Sequence, residues 1–159
     1  MAISFKEEGH LYESIDDANI TWLSVTSFIG KFKPKFDRDG QAIKSSKNKR
    51  SKWYGMTPKE IIAAWDGETN RAITLGNFYH NQREADMMEL KTIGRHGVEV
   101  PIIKPIVDEE GLKFAPKQKL EEGVYPEHLV YLKSIGVCGQ ADVVEVVNGY
   151  ININDYKTN

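Results

Sequence analysis

The chain has 159 residues, of which 40% are hydrophobic and 28% are charged, and this composition predicts a single globular domain over residues 1–159. Its one cysteine, Cys138, excludes a disulfide framework, an iron–sulfur cluster and a cysteine-based zinc site built from this chain alone. No apolar run reaches the ~18 residues that a membrane span needs, and the N-terminus lacks the character of a signal or transit peptide. We therefore expect a protein of a reducing, cytoplasmic compartment that has no membrane partner.

The formal net charge of −2 conceals a strongly basic segment at residues 30–53. Between Lys31 and Lys52 the chain carries nine basic and two acidic side chains, a net +7, so the remainder carries −9. This asymmetry indicates one surface for a polyanion and acidic positions elsewhere that could hold a cation; an ordinary solvated run of charge is the alternative. The candidate nucleic-acid contacts are Lys31, Lys33, Lys35, Lys47, Lys49, Arg50 and Lys52, with the aromatic residues Phe32, Phe36, Trp53 and Tyr54 between or beside them as candidates for base stacking.

The N-terminal part of the chain is predicted to contain short strands. We expect a hairpin within residues 1–23, with strands over 3–13 and 20–25 on either side of a polar turn. Ser24 or Thr26 is expected to cap a short helix that follows. The basic segment is predicted to be a loop or an exposed helix.

The middle of the chain is predicted to be helical. Thr57-Pro58-Lys59-Glu60 has the pattern of a capping box with proline at the first helical position, so a helix is expected to begin there. The spacing of apolar residues predicts a second helix over about 69–91.

The pattern changes to strands from Val98 onward. After a candidate strand around 100–103, three further strands are predicted over 127–133, 136–147 and 150–155. Helices followed by strands within one domain predict an α/β or α+β fold.

The strongest local signal is the Asn148-Gly149 pair between β-forming residues, which predicts a hairpin with a type I′ turn. If these two residues form the turn, Asp142 and Asp155 are cross-strand neighbours and Lys157 projects from the same face. Two opposed carboxylates at the end of an apolar face repel each other, and a divalent cation would stabilise them. Hard oxygen ligands favour Mg²⁺ or Mn²⁺; a solvated strand end without a metal is the alternative.

These residues resemble the PD-(D/E)xK nuclease superfamily, in its RecB-like branch. Gly139-Gln140-Ala141-Asp142 and Asp155-Tyr156-Lys157-Thr158 are similar to the two central motifs of that branch. Gly76 to His80 is similar to its upstream Gly-x-x-x-His on a helix, and Pro126-Glu127 is similar to its acidic residue on the preceding strand. The order of elements also resembles that of phage and mitochondrial genome maintenance exonucleases, and the resemblance covers roughly residues 22–159.

The resemblance implies an α/β fold with a restriction-endonuclease-like core, in which helices flank a mixed sheet. It implies Mg²⁺- or Mn²⁺-dependent hydrolysis of DNA, by an exonuclease rather than an endonuclease, on single-stranded or end-containing DNA during recombination, repair or replication. The compartment is then the cytoplasm, including that of a phage-infected host.

The resemblance also implies roles for individual residues. Asp142 and Asp155 would bind the metal, and Lys157 would position or help to deprotonate the attacking water, or stabilise the phosphate. Glu127 would bind the metal directly or through water, and His80 would act at the metal or at the phosphate. Glu84 lies one helical turn from His80 and could orient its ring, although it could equally be a surface acid.

The chain departs from the family pattern at its C-terminal end. The family continues into a helix with a Gln-x-x-x-Tyr motif, so we expect this supporting helix to be missing from the 159 residues. Two alternatives to an active nuclease therefore stay open. One is a nucleic-acid-binding module of nuclease descent without turnover, and the other is a fragment that assembles with another chain.

Overall fold

The computed structural model describes residues 3–114 and 119–157, which form a mixed α/β protein, as the order of predicted elements indicated. Contacts divide the chain into two compact units, one of residues up to Phe32 together with Asn81–Lys157, and one of Lys33–His80. In chain order, the strands and helices are β1 (Ile3–Lys6), β2 (Leu11–Ser14), β3 (Leu23–Ser24), α1 (Val25–Gly30), α2 (Arg38–Lys47), α3 (Pro58–Glu89), β4 (Thr92–Arg95), β5 (Val98–Pro101), β6 (Ile106–Val107), β7 (Lys113–Phe114), β8 (Gly123–Leu132), β9 (Val137–Val147) and β10 (Tyr150–Asn154).

Strand β9 organises the first unit. It pairs antiparallel with β8 and with β10, and parallel with β3, so the sheet is mixed as expected. The β9–β10 hairpin has the predicted register, from Tyr150↔Val147 to Asn154↔Val143. Asn148 and Gly149 both have positive φ, 52° and 77°, which is the type I′ turn that the Asn-Gly pair predicts.

The core of the first unit lies against the β8–β9 pair. Met87, near the end of α3, packs with Val143 and Val147 of β9. A second cluster joins Ile3 and Phe5 of β1 to buried residues of β8 and β9, which are Leu129 and Cys138. Burial of such side chains contributes roughly 1.5–3 kcal/mol each, so this strand pair is the best stabilised part of the sheet.

The predicted N-terminal hairpin is placed differently. Strands β1 and β2 pair with each other, so the turn falls at residues 7–10 and not at 14–19. Gly9 and His10 both adopt positive φ, and the His10 amide donates to the Glu7 carbonyl oxygen over 3.1 Å. Glycine tolerates this backbone conformation without strain, which splits the predicted 3–13 strand in two. Strand β3 pairs with β9 instead.

The two predicted helices in the middle of the chain are one helix of 32 residues, α3. Its start has the predicted capping box, in which Glu60 accepts from the Thr57 amide over 2.8 Å and Thr57 accepts from the Glu60 amide over 3.3 Å. The prediction of a break between them was wrong, because Gly67 costs only about 1 kcal/mol in a helix interior and nothing else there terminates the helix.

The second unit contains the basic segment, which is helical over α2, begun by Asp37 as N-cap. Its buried side chains include Ala42 and Ile61. Arg38 donates to the Ile62 carbonyl oxygen over 3.1 Å and forms an ion pair with Asp66.

The strands after α3 differ from the prediction at their ends. An unpredicted hairpin joins β4 to β5 through His96 and Gly97, which both have positive φ. Strand β8 begins at Gly123, four residues earlier than predicted. Within residues 3–114 and 119–157, no helix is both long enough and apolar enough to cross a bilayer.

Candidate metal centre

Glu127 and Asp142 face each other across the β8–β9 pair. Pro126 pairs with Val143 and His128 pairs with Ala141, and the same register places Glu127 opposite Asp142. Glu127 is 5% exposed and has a φ of 52°, a left-handed conformation that costs a non-glycine residue roughly 1–2 kcal/mol. The other described non-glycine residues with positive φ, His10, His96 and Asn148, lie in hairpin turns, whereas Glu127 lies within a strand, where surrounding structure must maintain the strain.

The Glu127 carboxylate is held by side chains from two other strands. Gln140 of β9 donates from Nε2 to Glu127 Oε2 over 2.6 Å and to the Glu127 carbonyl oxygen over 3.3 Å. The Nζ atom of Lys113 on β7 lies 4.0 Å from Glu127 Oε2 and 3.4 Å from Glu84 Oε1. The carboxylate therefore has a defined position inside the protein.

Asp142 binds the backbone that follows β10. Its Oδ2 atom accepts a hydrogen bond from the Tyr156 amide over 2.6 Å. Burial raises the pKa of the Tyr156 phenol, and the Asp142 and Glu127 carboxylates raise it further. The 155–157 segment is thus attached to the acidic site through its main chain.

His80 lies on α3, seven residues before the buried Met87 and therefore on the same side of the helix. One ring nitrogen of His80 and one carboxylate oxygen each from Glu127 and Asp142 all lie within 4.8 Å of one another. These three residues could together hold a metal ion.

The donor set fits a divalent cation. Two carboxylate oxygens suit Mg²⁺ and Mn²⁺, and one imidazole nitrogen suits Mn²⁺ and later transition metals.

Asp155 and Lys157 occupy a more exposed position. The β9–β10 ladder ends at Asn154↔Val143, one pair short of Asp142 and Asp155, and Asp155 is outside the His80–Glu127–Asp142 group. The Asp155 and Lys157 side chains are 57% and 77% exposed and form an ion pair with each other. The hydrogen bond and negative charge of Asp155 raise the pKa of Lys157, so its ammonium stays protonated, whereas a lysine that acts as a base needs a lowered pKa. Their roles at a metal stay predictions.

The candidate nucleic-acid contacts are all exposed. Lys31 lies just after α1 in the first unit, and the other six belong to the second unit. Lys52 pairs with Glu68 over 3.0 Å and lies 4.4 Å from the centre of the Trp53 ring. The rings of Phe32, Phe36 and Tyr54 are exposed, as stacking on bases would require.

Sequence reasoning missed Lys113 and assigned no role to Gln140. Lys113 lies in a two-residue strand that long-range pairing creates, so no local pattern marks it. Gln140 lies two residues before Asp142 on the same strand, and this period of two was the one signal that could have identified it. Glu84, expected to orient His80, has Lys113 as its ion-pair partner.

Comparison with known proteins finds no matching family model, no similar curated protein and no similar solved structure. The chemistry of the site must therefore be argued from its own residues.

Proposed function

We propose that this chain is a divalent-cation-dependent DNA nuclease that hydrolyses phosphodiester bonds. The observation that carries the proposal is the convergence of His80, Glu127 and Asp142, whose ligand atoms lie within 4.8 Å of one another. The strained backbone of Glu127 and its fixed carboxylate add support, because a purely structural strand residue needs neither. The proposal includes the restriction-endonuclease-like core that the sequence motifs imply.

Different residues of the chain are expected to have different roles in the hydrolysis. His80, Glu127 and Asp142 would hold Mg²⁺ or Mn²⁺, and Gln140 would orient Glu127. A bound cation of this kind polarises a phosphate and makes a coordinated water more acidic. Hydrolysis then forms a bond from a water oxygen to phosphorus and breaks the bond to the leaving nucleoside oxygen, which takes up a proton. Asp155 and Lys157 remain candidates for completing the site.

The expected substrate is single-stranded or end-containing DNA, and the expected action is exonucleolytic. Support for nucleic acid comes from the exposed cationic side chains of the basic segment and from its exposed aromatic rings. Cations bind phosphates without regard to sequence, and aromatic rings stack on bases only when these are unpaired.

The test is incubation of end-labelled linear single-stranded DNA with the protein in Mg²⁺, in Mn²⁺ and in EDTA. We expect cleavage with either metal, none in EDTA, and little cleavage of circular single-stranded DNA, which offers no end. Asp142→Asn should abolish cleavage, whereas Asp86→Asn, which alters an exposed carboxylate of α3, should not. Persistent DNA with the wild-type protein in both metals would contradict the proposal.

A nucleic-acid-binding module without turnover is the second candidate. The observation that favours it is the ion pair between the exposed side chains of Asp155 and Lys157, which occupies both of them. This candidate predicts DNA binding that weakens steeply with salt and no cleavage in any divalent metal.

A further inference from the structure

Lys113 is a nearly buried lysine beside the candidate metal centre. Its side chain is 13% exposed, and its Nζ atom lies 3.4 Å from Glu84 and 4.0 Å from Glu127. The backbone of β7 is paired on both sides, with Phe5 of β1 and with Val107 of β6. Three paired strands, β1, β7 and β6, therefore hold the Lys113 ammonium beside Glu84 and Glu127.

The ammonium of Lys113 has capacity for a further partner. It has three N–H donors, and the two carboxylate contacts are long compared with a charge-assisted hydrogen bond of about 2.7–2.9 Å. Lys157, by contrast, is mostly exposed and forms its ion pair with Asp155. Lys113 is thus the cationic side chain that the described part of the chain buries beside the acids.

We propose that Lys113 is the phosphate-binding residue of this site, which contacts a non-bridging oxygen of the DNA phosphate next to the metal. This inference rests on the proposed function. Before substrate arrives, the ammonium offsets part of the negative charge of Glu84 and Glu127. When a phosphodiester enters, the same ammonium neutralises its charge in a place where water screens little.

This role predicts effects of opposite sign on metal and on DNA. Removing the ammonium makes the site more negative, so the acids should bind a divalent cation more tightly. The same change removes a partner of the phosphate, so DNA should bind more weakly and be cleaved more slowly. A lysine that only maintained the structure would, when removed, weaken both.

The experiment compares the wild-type protein with Lys113→Met, Lys113→Gln and Lys113→Arg. Lys133→Met serves as the control, because Lys133 is an exposed lysine of the same unit whose ion-pair partner is Asp17. Three quantities are measured: Mn²⁺ affinity of the protein alone by electron paramagnetic resonance, affinity for a labelled single-stranded oligonucleotide in Ca²⁺, and kcat/KM for cleavage in Mg²⁺. Thermal melting in EDTA checks that each variant folds. Lys113→Gln keeps hydrogen-bond donors at this position, so it carries the test if Lys113→Met does not fold.

For both neutral variants we expect Mn²⁺ binding about tenfold tighter, oligonucleotide binding about tenfold weaker and kcat/KM about a hundredfold lower. Lys113→Arg should recover most of the DNA binding, and Lys133→Met should match wild type. Wild-type values for the folded neutral variants, or losses in both Mn²⁺ and DNA affinity, would overturn the role of Lys113. A wild-type protein that binds DNA through Lys113 but never cleaves it would instead overturn the proposed nuclease function alone.

Discussion

Strand β9 has a different environment on each of its two long sides. On the β8 side, Glu127 is buried, strained and hydrogen-bonded to Gln140. On the β10 side, all five strand residues are exposed, and Asp155 and Lys157 beyond it pair with each other. Glu127 on the β8 side is therefore a buried acid, whereas Asp155 on the β10 side is mostly exposed to water, which screens its charge.

The comparison shows that strand pairing and burial are separate properties. Val144 and Val146 are buried although their β10 partners, Ile153 and Ile151, are exposed. The carboxylate that lies close to Asp142 in the candidate metal centre is that of Glu127 on β8. Exposed acids are screened by water, whereas buried acids repel strongly unless a cation lies between them.

The largest expected effect comes from the buried side. Glu127→Gln should reduce Mn²⁺ affinity and the rate of DNA cleavage by about a hundredfold or more, because it removes a charged ligand while keeping the shape and a polar group. Isothermal titration with Mn²⁺ measures the first quantity. Glu122→Gln, an exposed acid just before β8, is the matched control. Unchanged Mn²⁺ affinity in Glu127→Gln would remove Glu127 from the site.

The free energy of unfolding should depend more on side chains of β8 than on side chains of β10. Leu129→Ala on β8 removes a side chain that is 2% exposed and should lower the free energy of unfolding by about 2–5 kcal/mol. Ile153→Ala on β10 removes one that is 70% exposed and should change it by less than about 0.5 kcal/mol. Urea denaturation measures both. Equal losses of unfolding free energy in the two variants would show that β10 is buried to the same extent as β8.

Asp155→Asn should have a smaller effect than Glu127→Gln. An exposed carboxylate in a surface ion pair interacts weakly, so we expect Mn²⁺ affinity to fall by no more than about tenfold. The same titration decides this point. A loss as large as that of Glu127→Gln would show that the β10 side contributes a full ligand, as the family motifs imply.

The basic segment should affect DNA binding without affecting the metal. Changing Lys47, Lys49 and Arg50 together to glutamine should flatten the dependence of log Kd on log salt by about 2, because single-stranded DNA gives a slope near 0.7 per phosphate contact. Fluorescence anisotropy at several salt concentrations measures this slope. A slope identical to that of the wild-type protein would show that DNA does not contact these three side chains.

Cys138 lies near the start of β9 and is buried. Burial raises the pKa of this thiol from 9.0 to about 12. The folded pKa lies above the unfolded one, so the contribution to stability is complete below pH 9 and is lost as the pH rises toward 12. We expect a thiol reagent at pH 8 to react far more slowly with the folded than with the urea-unfolded protein. Equal rates would show that Cys138 is accessible.

Local signals in the sequence predicted local structure well. The Asn148-Gly149 pair specified both turn and register, and the capping box at Thr57 and Glu60 marked the start of α3. Both depend on residues no more than three positions apart. Of the four metal ligands that the sequence motifs implied, the structure brings together His80, Glu127 and Asp142 and leaves Asp155 outside this group.

Long-range features could not be predicted in this way. Lys113 reaches the acids because β7 pairs with β1, more than a hundred residues earlier in the chain, and no local pattern encodes that pairing. The unbroken α3 also escaped prediction, because packing and length outweigh a single unfavourable Gly67. Burial of β8 and exposure of β10 depend in the same way on which other elements cover each strand.

The most direct test of the account is the position of a bound cation in a crystal soaked with Mn²⁺. Anomalous scattering locates manganese without reference to any expected ligand. We predict one site roughly 2.0–2.5 Å from oxygens of Glu127 and Asp142 and a ring nitrogen of His80. Manganese held by Asp155 without Glu127, or no manganese at Glu127 and Asp142 in a crystal that retains Mn²⁺ elsewhere, would contradict it.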